Sequence, residues 1–142
     1  MRLSRQSRSD REERKGQSAK RQAPRKVRYR AKANVVDVRQ IVKDLRQINP
    51  EIRYKNCFKE ERFISGIIAF HPQKTSNPNQ ISHDDKDVVC HVIKGRGRLR
   101  LKRRRIELRP GMICHIPKGT PHDFAAGKSG ELVLFYSLIK TA

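Results

Sequence analysis

Residues 111–124 read GMICHIPKGTPHDF, and the reading of this stretch decides the fold. Gly111 opens it after Arg109-Pro110, Pro117 and Gly119 turn the chain, and His122 follows three residues after Gly119. Met112 to Ile116 between the turns is short and mainly apolar, as a strand should be, and the Gly and Pro residues punctuate it. Whether His122 serves a working site or an abandoned one separates an enzyme from a binding module.

Outward from this stretch, the chain is a series of short strands divided by turn signals. They are expected at Ile64 to Phe70, Asp87 to Lys94, Gly97 to Lys102, Arg105 to Arg109, Met112 to Ile116 and Leu132 to Ile139. Strands this short and evenly spaced predict an all-β sandwich or barrel. RLRLKRRRIELRPG reads as a hairpin turning near Arg103-Arg104, with RPG setting the next corner. Before the strands, Val35, Val38, Ile41, Val42, Leu45 and Ile48 recur at helical spacing, with charged residues between them. An amphipathic helix is therefore expected across 34–50, capped by Asn34 and stopped by Asn49-Pro50. Its apolar stripe has to cover its own domain or a partner.

Composition separates the two ends of the chain. Of 142 residues, 34 are Lys or Arg and 14 are Asp or Glu, a formal charge of +20. Residues 1–33 alone hold 13 basic and 3 acidic side chains with almost nothing to bury. Such a segment cannot offset its ordering entropy and is expected to be disordered until it meets a polyanion. An excess of positive charge this large points to nucleic acid as partner. No apolar run is long enough to span a bilayer, and the first residues lack the apolar core of a secretory leader. Cys57, Cys90 and Cys114 are few, odd in number and far apart, which fits a reducing intracellular compartment.

The stretches VVCHVIKGRGRLRL and IELRPGMICHIPKGTPHDF together resemble the cupin superfamily, over about 66–138. The second cupin motif, Gly-x5-Pro-x-Gly-x2-His, is met by Gly111, Pro117, Gly119 and His122, while its closing Asn falls on Ala126. The resemblance implies a cupin-type double-stranded β-helix, or jelly-roll barrel, over residues 51–142. It also implies where metal ligands would stand. Anchored on Gly95, the first motif's second His is His83, but its first His is Ile81 and its Glu is Val88. His83 and His122 are thus vestigial candidates for a metal, and a catalytic site needs three or more protein ligands. Asp87 lies one residue from Val88 and so belongs to the opposite face of its strand. No other nucleophile, phosphate-loop or catalytic set stands out, so neither a catalytic residue nor a cofactor is expected.

Strand alternation then assigns the outward residues. With Val88 inward, Cys90 and Val92 also point in, and Val89, His91 and Ile93 point out. LVLFYSLI, Leu132 to Ile139, is apolar on both faces, so both should be covered. The helix can take one, and a second copy the rest, as a homodimer interface through Val89, His91 and Ile93. On the hairpin, Leu99 and Leu101 point in, leaving Arg98, Arg100 and Lys102 outward beside the turn Arg103-Arg104-Arg105. With Arg25, Lys26, Arg28 and Arg30 of the tail, these are the expected phosphate-binding residues.

One metal-free cupin class dimerises and carries basic chromatin-binding segments, the carboxy-terminal domain of centromere protein C. The stretch SGIIAFHPQKTSNPNQISHDDKDVVCHVIKG and the closing FYSLI resemble it, although that class's Tyr-Trp nucleosome motif has no counterpart because Trp is absent. The resemblance implies a nuclear, chromatin-bound scaffold of the kinetochore. A structural cupin of a ribosome or other RNA particle, or a small metal-dependent or sugar-binding cupin, are the alternative expectations. The helix over 35–48 offers a surface for further protein partners.

Overall fold

The computed structural model describes residues 33–74 and 82–141. Arg25, Lys26, Arg28, Arg30 and Ile81 lie outside the described residues, as do all but one of the residues assigned to the basic tail.

The helix is far shorter than its apolar stripe. Helix α1 spans Val38–Lys43, six residues. Its N-cap is Asp37, not Asn34: the Asp37 side chain accepts from the Arg39 N–H, satisfying one of the donors that a helix start leaves open. Asp44 closes the helix, and the chain at once becomes strand β1, Arg46–Gln47, paired to β2, Ile52–Lys59. Strand pairing therefore claims the residues that helical periodicity would have continued, and Ile48 is left 53% exposed.

The other strands are β3 (Phe63–Phe70), β4 (Lys86–Lys94), β5 (Gly97–Arg100), β6 (Arg105–Leu108), β7 (Ile113–Ile116), β8 (Asp123–Ala126) and β9 (Leu132–Lys140). They form a six-stranded antiparallel sheet in the order β1-β2-β3-β9-β4-β7 and a three-stranded sheet in the order β6-β5-β8. This is the expected all-β fold, a cupin-type double-stranded β-helix. No described helix is long and apolar enough to cross a membrane.

Alternation along β4 is as the sequence predicts. Val88, Cys90 and Val92 are buried between the sheets with Leu99, Leu108, Ile116, Phe124, Leu132 and Leu134. A fully buried leucine or isoleucine side chain contributes about 1.5–3 kcal/mol, so this inner cluster is the main store of stability. The outer face of the large sheet holds a second cluster, Ile67, Ala69 and Val133, which Val38, Ile41, Val42 and Leu45 cover from the helix side. Both faces of β9 are thus buried over its first half, as the two-faced LVLFYSLI run requires.

Two glycines are dictated by close approach. A Cβ on Gly66 would stand 2.3 Å from the Lys55 carbonyl oxygen and 2.8 Å from the Tyr136 hydroxyl. Gly95 has a positive φ of 84°, and a Cβ there would sit 1.9 Å from the Glu131 carbonyl oxygen.

Candidate functional site: the barrel pocket and the basic hairpin

The barrel interior is a cavity of about 580 Å³. Ile52, Ile68, Phe70, Val88, Phe124 and Leu134 supply most of its apolar wall, with His83, His122 and Tyr136 among its polar groups. His122 enters it from the corner ahead of β8. That corner is closed by Thr120 N–H donating to the Pro117 carbonyl at 3.2 Å, and His122 Nδ1 lies 2.8 Å from the Thr120 carbonyl oxygen. A carbonyl only accepts, so Nδ1 is the protonated nitrogen. Phe124 stands edge-on to the imidazole, ring centroids 6.0 Å apart.

His83 approaches from the loop before β4. The Gly119 N–H donates to the His83 carbonyl oxygen at 2.7 Å and ties this loop to the His122 corner. The two imidazole centroids are 6.1 Å apart. The His83 pKa is lowered, first by desolvation and then by the nearby His122 and Lys86. The structure therefore brings together the two histidines that the second and first motifs point to.

Glu51 and Asp123 line the same cavity, and Asp123 is paired with Arg100, but neither completes a metal-holding group of three with the two histidines. Val88, 4% exposed, presents its methyl groups to the pocket at the position of the missing acid. Asp85 faces solvent and pairs with Lys86 at 3.0 Å. Asp87 points to the outer face as expected, where its carboxylate meets His115 Nε2 at 3.0 Å and accepts from the Lys118 N–H at 3.0 Å. Among the described residues no group of three or more His, Cys, Asp or Glu side chains is placed to hold a metal ion. Two imidazoles and an isopropyl group do not fit a catalytic metal.

The hairpin departs from its expected layout. Leu101 and Arg104 bond backbone to backbone (Leu101 N–H to Arg104 O 2.8 Å), so the turn centres on Lys102-Arg103, one residue earlier than the sequence suggests. Lys102, Arg103, Arg104 and Arg105 are all exposed. Arg100 is not. Its guanidinium is held by the Asp123 carboxylate, with Nε to Oδ1 at 2.8 Å, and the two side chains are only 14% and 11% exposed. Arg98 is half-buried and its Nε is enclosed without a hydrogen-bond partner. Both assignments to an open phosphate-binding face are corrected accordingly. Alternation places Arg100 opposite Asp123 on neighbouring strands, β5 and β8, and the fold uses the arginine to neutralise that acid.

The proposed interface row is also divided. Val89 is half-buried and His91 exposed, but Ile93 packs into the cluster beneath α1 and is occupied within its own chain. What the sequence reading missed is Ile113, the residue opposite His91 on β7, which is 71% exposed. Phe63 and Ile139, paired across β3 and β9, are 39% and 37% exposed on the same outer face. The signal for Ile113 was present, because Ile113 alternates with the inward-facing Cys114.

A family model described as "Cupin domain" matches residues 66–138. The chain belongs to the cupin family. No curated protein matches it by sequence. Among solved structures it is similar to a Klebsiella pneumoniae protein with a double-stranded β-helix domain, at 14% identity and a TM-score of 0.65, covering 77% of this chain and 91% of that one. KdgF from a Halomonas species is 19% identical with a TM-score of 0.59, covering 69% and 89%. The cupin domain of Schizosaccharomyces pombe Cnp3 is 14% identical with a TM-score of 0.57, covering 63% of this chain and 61% of that one. At these identities the likeness is one of fold, and cupins of this fold include enzymes as well as non-enzymes.

Proposed function

We propose that this cupin is a non-enzymatic protein that forms homodimers and binds nucleic acid through its phosphates, duplex DNA or chromatin ahead of RNA. The observation that supports this most directly is the hairpin tip, where Lys102, Arg103, Arg104 and Arg105 are consecutive and exposed. Arg donates two hydrogen bonds from one planar fork, which matches a phosphate. Three such arginines and one lysine in a row, on a chain of net charge +20, concentrate positive potential where a duplex backbone can reach it. Aromatic residues are absent from the tip, so stacking on single-stranded bases has no support there. Duplex DNA is preferred because the finer sequence resemblance is to the centromere protein C domain, and a nuclear location follows from the same resemblance.

The non-enzymatic part rests on the pocket, whose two histidines lack a third ligand. The dimer rests on the outer face, where Val89, Ile113, Phe63 and Ile139 leave apolar surface that a second copy would cover. Fluorescence anisotropy with a labelled thirty-base-pair duplex at low salt tests the main claim. Replacing Lys102, Arg103, Arg104 and Arg105 together by Ala should weaken binding at least tenfold. Undiminished binding by a folded quadruple variant would remove the hairpin from the function.

A further inference from the structure

We infer that the free edge of β7, with the apolar cleft beside it, is a docking site for an extended peptide segment of a partner protein in which apolar and acidic residues alternate. β7 ends the six-stranded sheet, and among the described residues no strand flanks its outer side. Val92 N–H donates to the Met112 carbonyl at 2.8 Å, and bonded pairs alternate along an antiparallel ladder. Cys114 and Ile116 therefore bond to Cys90 and Val88, their partners in register. The N–H and C=O groups of Ile113 and His115 point the other way, and among the described residues no other backbone group meets them. Such a row is a template for one more strand. The other edges are protected: β1 is two residues long, and β6 and β8 carry Arg105, Glu107 and Asp123. The ICHI of β7 holds no acid, lysine or arginine.

A cleft of about 340 Å³ lies along this edge and shares no lining residue with the barrel interior. All four residues of β7 line it. Alternate residues of a strand face opposite sides, so all four border one cleft only along the strand's edge. Leu101, Ile106 and Met112 supply an apolar wall, which receives every second side chain of an added strand. Charge decides the other half of the pattern. Among the described residues lining the cleft there is no Asp or Glu, and Arg104 is one of them. β6 ends and β7 begins at one corner, so the hairpin tip lies toward the Ile116 end of β7. Arg103, Arg105 and Lys118 are exposed there as well. Asp87, beside His115, is already engaged by that ring and by the Lys118 N–H. An added strand thus meets an apolar wall inside and positive charge at the rim. Main-chain hydrogen bonds supply affinity in this mode, and alternate side chains supply selection.

The test uses the full chain and the fluorescein-labelled peptide Val-Glu-Val-Glu-Val-Glu-Val, followed by anisotropy. In an antiparallel addition the residues opposite Ile113 and His115 share their outward face, so these are the glutamates, and their N–H groups bond to β7. N-methylation of the glutamates should therefore weaken binding by about tenfold relative to N-methylation of the valines. Val-Val-Val-Val-Glu-Glu-Glu, of equal composition, and the lysine peptide Val-Lys-Val-Lys-Val-Lys-Val should both bind at least about tenfold more weakly. His115→Pro removes an edge N–H that the sheet itself does not use and should lose the peptide, whereas His115→Val should keep it. Equal loss from the two methylated peptides, which needs no variant, would overturn the inference, and so would equal binding of the block peptide. Light scattering completes the test. The mass of the protein should be unchanged by the peptide, and a dimer split into monomers would assign this edge to a second copy instead.

Discussion

Replacing Arg100 by Ala should cost the fold far more than replacing any arginine of the neighbouring turn. Arg100 and Asp123 form a two-pronged pair whose side chains are only 14% and 11% exposed. Removing one member of a fully buried pair costs about 3–5 kcal/mol, because the remaining charge stays desolvated and unpaired. The small exposure that both groups retain reduces this to about 2–4 kcal/mol. Arg103 and Arg104 are exposed, and their replacement by Ala should change stability by no more than about 0.5 kcal/mol. The double variant Arg100→Leu with Asp123→Leu should recover most of the loss, since an apolar pair of similar volume often matches a buried ion pair. Urea unfolding followed by far-UV circular dichroism measures all four variants, which suits a chain without Trp. If Arg100→Ala unfolds at the same urea concentration as Arg103→Ala, the pair is a surface contact and the argument fails.

Gly66→Ala should destabilise by about 3 kcal/mol or prevent folding, because its Cβ meets the backbone oxygen of Lys55 at 2.3 Å; thermal melting of the purified variant checks this. Burial lowers the His83 pKa, so the folded state takes up this proton less readily than the unfolded chain. Its contribution is therefore complete above 6.5, the unfolded value, and is lost as pH falls from there through the folded value. Stability of His83→Asn measured between pH 4 and 7.5 should lack that part of the acid loss, and an unchanged pH profile would contradict it. Light scattering should give about twice the 16.5 kDa chain mass, with Ile113→Lys shifting the protein to monomer. A monomer at high micromolar concentration would remove the dimer.

Strand reading succeeded where apolar and polar residues alternate without interruption. In β4 the alternation runs from Val88 to Val92, and burial follows it residue by residue. It failed at β2, a strand the sequence reading did not expect. There the ladder with β3 shifts between Asn56 and Phe58, so the inward set changes parity midway and the charged IRYKNCFK shows no single period. β8 was missed because DFAA is four residues long and follows directly on the His122 corner. The helix was overextended because periodicity cannot see that Arg46 and Gln47 pair with Arg53 and Tyr54. The pocket histidines were legible from motif spacing alone. The fate of Arg100 was not, because its partner Asp123 is 23 residues away and joins it only through strand register.

The salt dependence of DNA binding tests the central claim most directly. If Z phosphates are neutralised, the logarithm of affinity falls against the logarithm of salt with a slope of about −0.9Z on duplex DNA. Each hairpin cation that contacts a phosphate adds one to Z. Loss of Lys102, Arg103, Arg104 and Arg105 should therefore flatten the slope by about 3 to 4 relative to the unaltered chain. Removing residues 1–33, which carry 13 basic side chains, should flatten it further. A slope near zero, or one identical in all three proteins, would show that the charge of this cupin does not serve phosphate recognition.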